Sequence, residues 1–329
     1  MLLFLITSFV FVAITILPLF PSNHWLVRVW EFPRLQISAL IIIQVALGYY
    51  FLPATIMMLF GLTLSLVALA YQLHWILPYT RLYPTQVECD DESTKTVKVL
   101  TSNVLMDNKD SSKLLNLIKK YQPDIFVTLE SNLWWQKELE SVAQSYPYQI
   151  NKPLENLYGM HVFSRFPLSD IKVTELIQKD IPSIHCKFEL DDETLIQFHF
   201  LHPAPPSPTE NTYSKARDRE LVLMADEVSN NGMPTIVAGD LNDVAWSPTT
   251  RYFIKKSGFL DPRVGRGFFN TFHAQHWFLR WPLDHLFHNQ HFKIRSMRRL
   301  DEVGSDHFPL LTELAIVRLT ADKNKTASK

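Results

Sequence analysis

The first eighty residues carry almost no charge. No Asp, Glu, Lys or Arg precedes Arg28, none lies between Leu35 and Thr80, and only Arg28, Glu31 and Arg34 interrupt the stretch. Charged side chains normally coat the surface of a soluble fold, so this segment is predicted to lie in a membrane, in preference to a buried hairpin of a soluble protein. The run from Leu2 to Phe20 approaches the ~20 residues that cross a bilayer core. A cleaved signal peptide would show positive residues ahead of a shorter apolar region and a small-residue cleavage site; neither is visible, and a retained helix is predicted. The run from Leu35 to Thr80 exceeds one span of ~17–25 residues. It is broken at Gly48-Tyr49-Tyr50-Phe51-Leu52-Pro53, where the tyrosines suit an interface. Three spans are therefore expected, at 2–20, 33–50 and 54–76, forming an anchor over residues 1–80.

The net charge of the chain is −1. The first eighty residues contribute +1, which leaves −2 for everything from Arg81 onward, and no global basic excess advertises a polyanionic partner. Arg28, Arg34 and Arg81, the cations nearest the spans, are too few to orient the chain by the positive-inside rule. Two cysteines, Cys89 and Cys186, suit a disulfide-poor protein in any compartment.

Residues 81–95 are polar and acidic and read as a linker. Beyond them, apolar strands alternate with amphipathic helices. TVKVLTSNV (96–104) alternates as a strand, SSKLLNLIKKYQP (111–123) places Leu114, Leu115, Leu117 and Ile118 on one helical face closed by Pro123, and DIFVTLE (124–130) reads as a short buried strand. Further strands are expected at 158–164, 184–190, 194–202, 234–241, 283–289 and 309–314, with a helix at 213–229. This alternation predicts an α/β domain over 96–318, followed by a frayed tail at 319–329.

Several strands stop in the same manner, on an acid, an amide or a histidine: Asn103, Glu130, His202, Asp240 with Asn242, Asp284, and the pair Asp306-His307. Rigid strand ends can aim several side chains at one point. Each residue taken singly has a plain structural reading, such as a helix cap at Glu130 or an Asx-turn at Asp240. Their recurrence in one local setting points to a shared site. Glu130, Asp240 and Asp306 are hard oxygen donors of the kind Mg²⁺ takes. Asn103 and Asn242 offer neutral oxygens and N–H donors, and His202 and His307 can donate to a phosphate or exchange protons. Clustered carboxylates repel one another without a cation. No thiolate set for zinc and no Gly-rich phosphate loop is present.

The segments SNVLMDN, PDIFVTLE, YGMHVFSRFPL, FLHPAPP, VAGDLND, WPLDHLF and GSDHFPL, in that order over residues 97–315, resemble the endonuclease/exonuclease/phosphatase superfamily of metal-dependent phosphoesterases. GDLN and SDHFP are the most specific. The resemblance implies a four-layer α/β sandwich, two packed β-sheets flanked by helices, here preceded by about three transmembrane helices. It implies Mg²⁺, or Mn²⁺, held by Glu130 with Asn103 and Asp306 beside it. It further implies that Asp240 activates or positions the attacking water, Asn242 helps hold the phosphate, and His307, oriented by Asp284, stabilises the pentacovalent phosphorus. His202 takes the place of a second phosphate-contacting residue. Position 105 is Leu, where many members carry an acidic or polar residue.

Substrates across that superfamily include nucleic acids, lipids and small phosphates, so the resemblance names no single one. A membrane-anchored phosphodiesterase or phosphomonoesterase is the leading expectation, since a tether concentrates the site at a lipid surface. An extracytoplasmic nuclease and a non-catalytic binding module are the alternatives. Duplex nucleases need a basic surface, and the basic candidates are Arg263, Arg266, Arg280 and KIRSMRR (293–299). HPAPPSP (202–208) resembles a version of the superfamily with amino-terminal spans and an external catalytic domain, which implies a bacterial inner membrane with the domain extracytoplasmic. The expected partners are the phosphoester substrate and the lipid bilayer, with no obligate protein partner. The aromatic stretch at 268–282 fits a substrate-side loop, a membrane-facing lip or a partly buried loop.

Overall fold

The computed structural model describes residues 1–229 and 232–317; the expected tail at 319–329 lies outside the described residues. The uncharged amino-terminal part forms α1 (Leu2–Ile16), the short α2 (Trp25–Arg28), α3 (Arg34–Phe51) and α4 (Ile56–Ile76). With the single turns that prolong α1 and α4, three of these are long and apolar enough to cross a membrane, over Leu2–Leu19, Arg34–Phe51 and Ile56–Tyr79. Small residues let them approach: a Cβ added at Gly48 or Gly61 would strike the ring of Phe4. Polar pairs then join the helices. Gln44 Nε2 donates to Thr7 Oγ1 at 2.7 Å, Gln72 Nε2 to Thr15 Oγ1 at 2.9 Å, and Arg34 Nη1 to Gln72 Oε1 at 2.7 Å. Close packing and interhelical hydrogen bonds thus join the three helices.

The remainder is a sandwich of two mixed sheets. One comprises β1 (Thr96–Asn103), β2 (Ile125–Leu129), β3 (Tyr148–Lys152), β4 (Met160–Ser164), β10 (Phe292–Arg299) and β11 (Leu310–Ile316), in the order β10-β11-β1-β2-β4-β3. The other runs β5-β6-β7-β8-β9, from β5 (Leu168–Thr174), β6 (Ser183–Asp191), β7 (Thr194–Leu201), β8 (Thr235–Asp240) and β9 (Asp284–His288). Side chains alternate faces along a strand, and the sequence exploits both. Val97, Val99, Val127 and Leu129 meet Phe198, Phe200, Ile236 and Ala238 between the sheets. Facing outward, Leu100 and Phe126 pack beneath α5 (Ser112–Tyr121) and α6 (Leu133–Leu139). On the other side Leu201 and Val237 pack beneath α7 (Lys215–Val228) and α8 (Pro248–Ser257). Helix, sheet, sheet and helix make the expected four layers.

Topology determines where the polar strand ends fall. β1 is parallel to β2, and β7 is parallel to β8, so four carboxyl ends share one edge of the sandwich. β9 and β11 run antiparallel to their neighbours, with Asp284 opposite Asp240 and Leu310 opposite Thr101, so their amino ends reach that same edge.

The amino-terminal helical part is docked on the sandwich. Tyr79 Oη donates to the Ala245 carbonyl at 2.9 Å and Trp246 Nε1 to the Glu31 carbonyl at 2.6 Å. Ile76 and Tyr79 share a hydrophobic cluster with Val244, Trp246 and Leu283. Residues 84–94 run along the fold: Val87 is buried, the Asp261 N–H donates to Gln86 Oε1, and Cys89 bridges to Ile294. Cys89 and Cys186 are free thiols, the first exposed and the second buried.

Candidate active site

All eight polar residues read from the strand ends meet at that edge. Glu130 and Asn242 lie just past β2 and β8, in left-handed backbone with φ of 58° and 51°. Such φ values are uncommon outside glycine and cluster at functional sites. They end the extended path abruptly and turn the following chain away. An extended continuation of β8 would put Asp240 and Asn242 on one face; the chain instead forms an Asx-turn, with the Asn242 N–H donating to Asp240 Oδ1 at 2.9 Å. That bond leaves the other carboxylate oxygen free for the centre of the site. Asp240 Oδ2 lies 3.4 Å from His307 Nε2 and 3.9 Å from His202 Nε2, and accepts from Asn103 Nδ2 at 3.2 Å.

His307 is held at both ring nitrogens. Its Nδ1 lies 2.8 Å from Asp284 Oδ2, and both side chains are buried. Burial disfavours its charge, yet the carboxylates of Asp240, Asp284 and Asp306 outweigh that and push its pKa up to about 10. An imidazolium flanked by carboxylates is a fixed hydrogen-bond donor. His202 has the opposite surroundings. Burial, with the nearby His307 cation, pushes it down to about 3, so it is neutral.

Glu130 and Asp240 are both pushed up to about 7, chiefly by burial. For Glu130 the charges of Asp306 and Asp240 add to that, against the hydrogen bond from Asn103 and the His307 cation. Four carboxyl groups thus converge on one imidazolium, and a divalent cation is the species that would offset the excess. Asp240, Asp284 and His307 each bring a donor atom within 4.8 Å of the others. The imidazole nitrogens of that trio are already engaged with carboxylates, however, whereas Glu130 and Asp306 line the open cavity. Those two hard oxygen donors fit a divalent ion. Asn103 is turned with its amide nitrogen toward Glu130 Oε1, at 2.7 Å, and its oxygen accepts from the Leu105 N–H. In this orientation it separates two carboxylates, and a ligand role requires the amide to turn over.

A supporting layer was not legible in the sequence. Arg217, wholly buried in α7, donates from Nη1 to the Asn242 carbonyl at 2.7 Å and lies 3.3 Å from Asp243 through Nη2. It therefore pins the turn that carries Asp240. Arg217 also pairs with Asp218, which reaches Arg28 at 3.8 Å, and Arg28 pairs with Glu31 at 2.8 Å. Charges in the segment between the first two long helices are thereby linked to the Asp240–Asp243 loop. Asp243 sits inside the IVAGDLND segment and could have been flagged there; nothing marks Arg217 among the charges of KARDRELV. Arg263 lies buried against Asp261 and donates to the Asp284 carbonyl at 3.3 Å.

Four of the other basic candidates donate to backbone, Lys293 pairs with Glu88 at 2.9 Å, and Arg298 is exposed. Arg266 donates to the Val87 carbonyl, Arg280 to Ala274, Arg295 to Ser93 and Arg299 to Asn270. In the aromatic stretch, Phe272 and Trp281 line the cavity beside His307, while Trp277 and Phe278 are exposed.

Comparison with known proteins bears on the family and the fold. Residues 100–307 match the Endonuclease/Exonuclease/phosphatase family. No curated protein matches the chain. Among solved structures, an endonuclease/exonuclease/phosphatase from Beutenbergia cavernae is 16% identical with a TM-score of 0.55, covering 68% of this chain and 72% of its own. A family protein from Bacteroides thetaiotaomicron is 21% identical with a TM-score of 0.53, covering 68% and 99%. The human Nocturnin catalytic domain with bound sulfate is 17% identical with a TM-score of 0.53, covering 68% and 95%. At these identities the likeness is one of fold.

Proposed function

The chain belongs to the endonuclease/exonuclease/phosphatase family, and from that premise we propose a membrane-anchored, divalent-metal-dependent phosphoesterase that hydrolyses a phosphodiester or phosphomonoester by in-line attack of water. The anchor occupies residues 1–80 and the catalytic domain 96–318, with 81–95 between them. Mg²⁺, or Mn²⁺, would be held by Glu130 and Asp306, joined by Asn103 on reorientation of its amide, and would polarise a phosphoryl oxygen. The convergence of all eight side chains on one edge carries the reading, because a non-catalytic module has no chemical need of them together.

Each side chain has a task suited to its surroundings. Asp240, with its carboxyl pushed up to about 7, is matched to accept the proton of an attacking water near neutral pH. His307 presents an N–H to the phosphoryl oxygen whose charge grows in the transition state. Asp284 is a positioning residue, fixing the ring through Nδ1. His202 and the side chain of Asn242 contact the phosphate as neutral groups. The anchor belongs in a bacterial inner membrane with the catalytic domain extracytoplasmic; three spans put that domain on the face opposite the amino terminus. A nuclease is the second reading. Zebrafish TDP2, whose structure holds a single-strand DNA product, shares the fold at 12% identity with a TM-score of 0.53, covering 67% of this chain and 99% of its own. Against it stands the engagement of Arg263, Arg266, Arg280 and Arg295 within the fold, since backbone neutralisation needs free cations.

The test is a panel of single- and double-stranded DNA, RNA, phospholipid vesicles and aryl phosphates, presented with Mg²⁺ to the purified full-length chain and to Asp240→Ala. Hydrolysis of at least one ester, lost in the variant, is expected. Hydrolysis of none, or full activity in the variant, overturns the proposal.

A further inference from the structure

The cavity in front of Glu130, Asp306 and His307 has a volume of about 720 Å³. Its lining also holds His202, Asn242, Tyr158 and Glu210. An apolar wall is built by the segment between the first two long helices: Trp25, Leu26, Val29, Trp30, Phe32 and Pro33. That segment is fixed on the catalytic domain. The Trp25 N–H donates to the Thr212 carbonyl at 3.0 Å, the Ser214 N–H to the Asn23 carbonyl at 2.8 Å, and His24 bridges to Tyr213. A third side comes from Leu279 and Trp281 of the aromatic stretch. The tip of that stretch reaches the second long helix, where Gln36 Nε2 donates to the Phe278 carbonyl at 2.7 Å.

The Trp25–Pro33 wall therefore lies between α1 and α3, and the aromatic stretch touches α3 at Gln36, at the surface of the bilayer those helices would cross. Trp25, Trp30, Trp277 and Trp281 are the residue type that settles at membrane interfaces. Leu26 and Val29 face the cavity, yet are 52% and 42% exposed, as are Trp277 and Phe278 at 79% and 51%. Among the described residues Leu26 and Val29 are left uncovered on this apolar surface, which lines the same cavity as the groups where a phosphate would sit.

The geometry points to an amphiphilic phosphoester drawn from the bilayer as the occupant. Its phosphate lies at Glu130, Asp306 and His307, and its apolar chain lies along the Trp25–Pro33 segment. This inference rests on the phosphoesterase reading and gives its substrate class: a lipid phosphoester. The connector between spans is thus a specificity-determining part of the site as well as a tether. A hydrophilic phosphoester would gain nothing from that wall, whereas each methylene buried there tightens binding by up to about fourfold.

The test measures binding of n-alkylphosphonates, methyl to octyl, to the full-length protein in detergent by calorimetry, alongside kcat/KM for the matching alkyl 4-nitrophenyl phosphates with Mg²⁺. Leu26→Ser/Val29→Ser is compared with wild type in the same detergent, so partitioning of long chains into micelles cancels in the ratio. Both positions are surface-exposed, and Leu26→Met keeps the apolar volume. The wild type should show affinity rising with chain length. The double serine variant should lower the octyl-to-methyl ratio by about tenfold or more, and Leu26→Met should retain it. A flat wild-type series, or an unchanged ratio in the double variant, overturns the inference. So does a thymidine oligonucleotide that binds more tightly than octylphosphonate and is indifferent to the variant. Calorimetry reads the cavity without turnover: chain-length-dependent binding with no hydrolysis of any ester would refute the phosphoesterase reading and leave the apolar subsite standing.

Discussion

Asp284→Asn removes one charge and almost no volume from the centre of the site. The carboxylate accepts from His307 Nδ1 at 2.8 Å in a buried setting. Its backbone is fixed independently: the Asp284 N–H donates to Thr271 Oγ1 at 3.2 Å and its carbonyl accepts from Arg263. The asparagine should therefore occupy the same place. A hydrogen bond to a charged group contributes about 1.5–3 kcal/mol, and stripping a buried charge of one partner costs about 3–5 kcal/mol. Asp240 still faces Nε2 at 3.4 Å, so the lower part of that range applies, about 3 kcal/mol. At ~1.4 kcal/mol per decade, kcat should fall by about 10²-fold. KM should change little, because Asp284 lies behind His307 and does not line the cavity. The assay is Mg²⁺-dependent hydrolysis of bis(4-nitrophenyl) phosphate by the full-length protein in detergent, with the melting temperature measured in parallel. A kcat within about twofold of wild type in a folded variant would refute the positioning role. A rise in KM alone would place Asp284 among the binding groups instead.

Three further outcomes are expected. Glu220, buried in α7, has its carboxyl pushed up to about 7 by burial, while it ionises near 4.3 when unfolded. Its neutral form supports the fold fully below that value, and the support is lost as pH rises toward 7, by up to roughly 4 kcal/mol. Glu220→Gln should therefore raise the melting temperature at pH 8 but not at pH 4, and an equal effect at both pH values would contradict the assignment. Arg28→Met leaves Glu31 buried without its 2.8 Å partner and should destabilise the full chain by about 3–5 kcal/mol, read by thermal unfolding; an unchanged midpoint would show that the charge chain to Arg217 carries no stability. Cys89 is exposed and Cys186 buried, so a membrane-impermeant maleimide should label Cys89 in intact cells if the domain is extracytoplasmic, and labelling only after lysis would reverse that placement.

Composition and period made much of this molecule legible. The absence of charge marked out three long apolar helices, because bilayer thickness sets the length of such a run; the expected 2–20 runs four residues past the end of α1 at Ile16. Strands with both faces buried, such as Ile125–Leu129, stood out as continuous apolar runs. Strands β3 and β5 were missed, since Tyr148–Lys152 and Leu168–Thr174 are edge strands with few or no buried side chains and no contrasting pattern. The eight site residues were visible because they interrupt apolar runs at the same edge. Their mutual arrangement was not, since the left-handed turns at Glu130 and Asn242 carry no glycine to announce them. The supporting charges from Arg28 to Asp243 lie far apart in sequence and become neighbours only when the connector docks on α7. The contribution of Trp25–Pro33 to the catalytic cavity was hidden for the same reason.

The central claim, that Glu130 anchors a divalent ion at a hydrolytic centre, is tested most directly by one Mg²⁺ activation curve. Full-length wild type and Glu130→Gln are stripped with a chelator and titrated with Mg²⁺ while hydrolysis of bis(4-nitrophenyl) phosphate is followed. Wild type should be inactive when stripped and recover on titration, and Glu130→Gln should need at least about 10²-fold more Mg²⁺ or fail to recover, as loss of a charged ligand in a buried site demands. Activity that survives chelation, or superimposable curves for the two proteins, would contradict it.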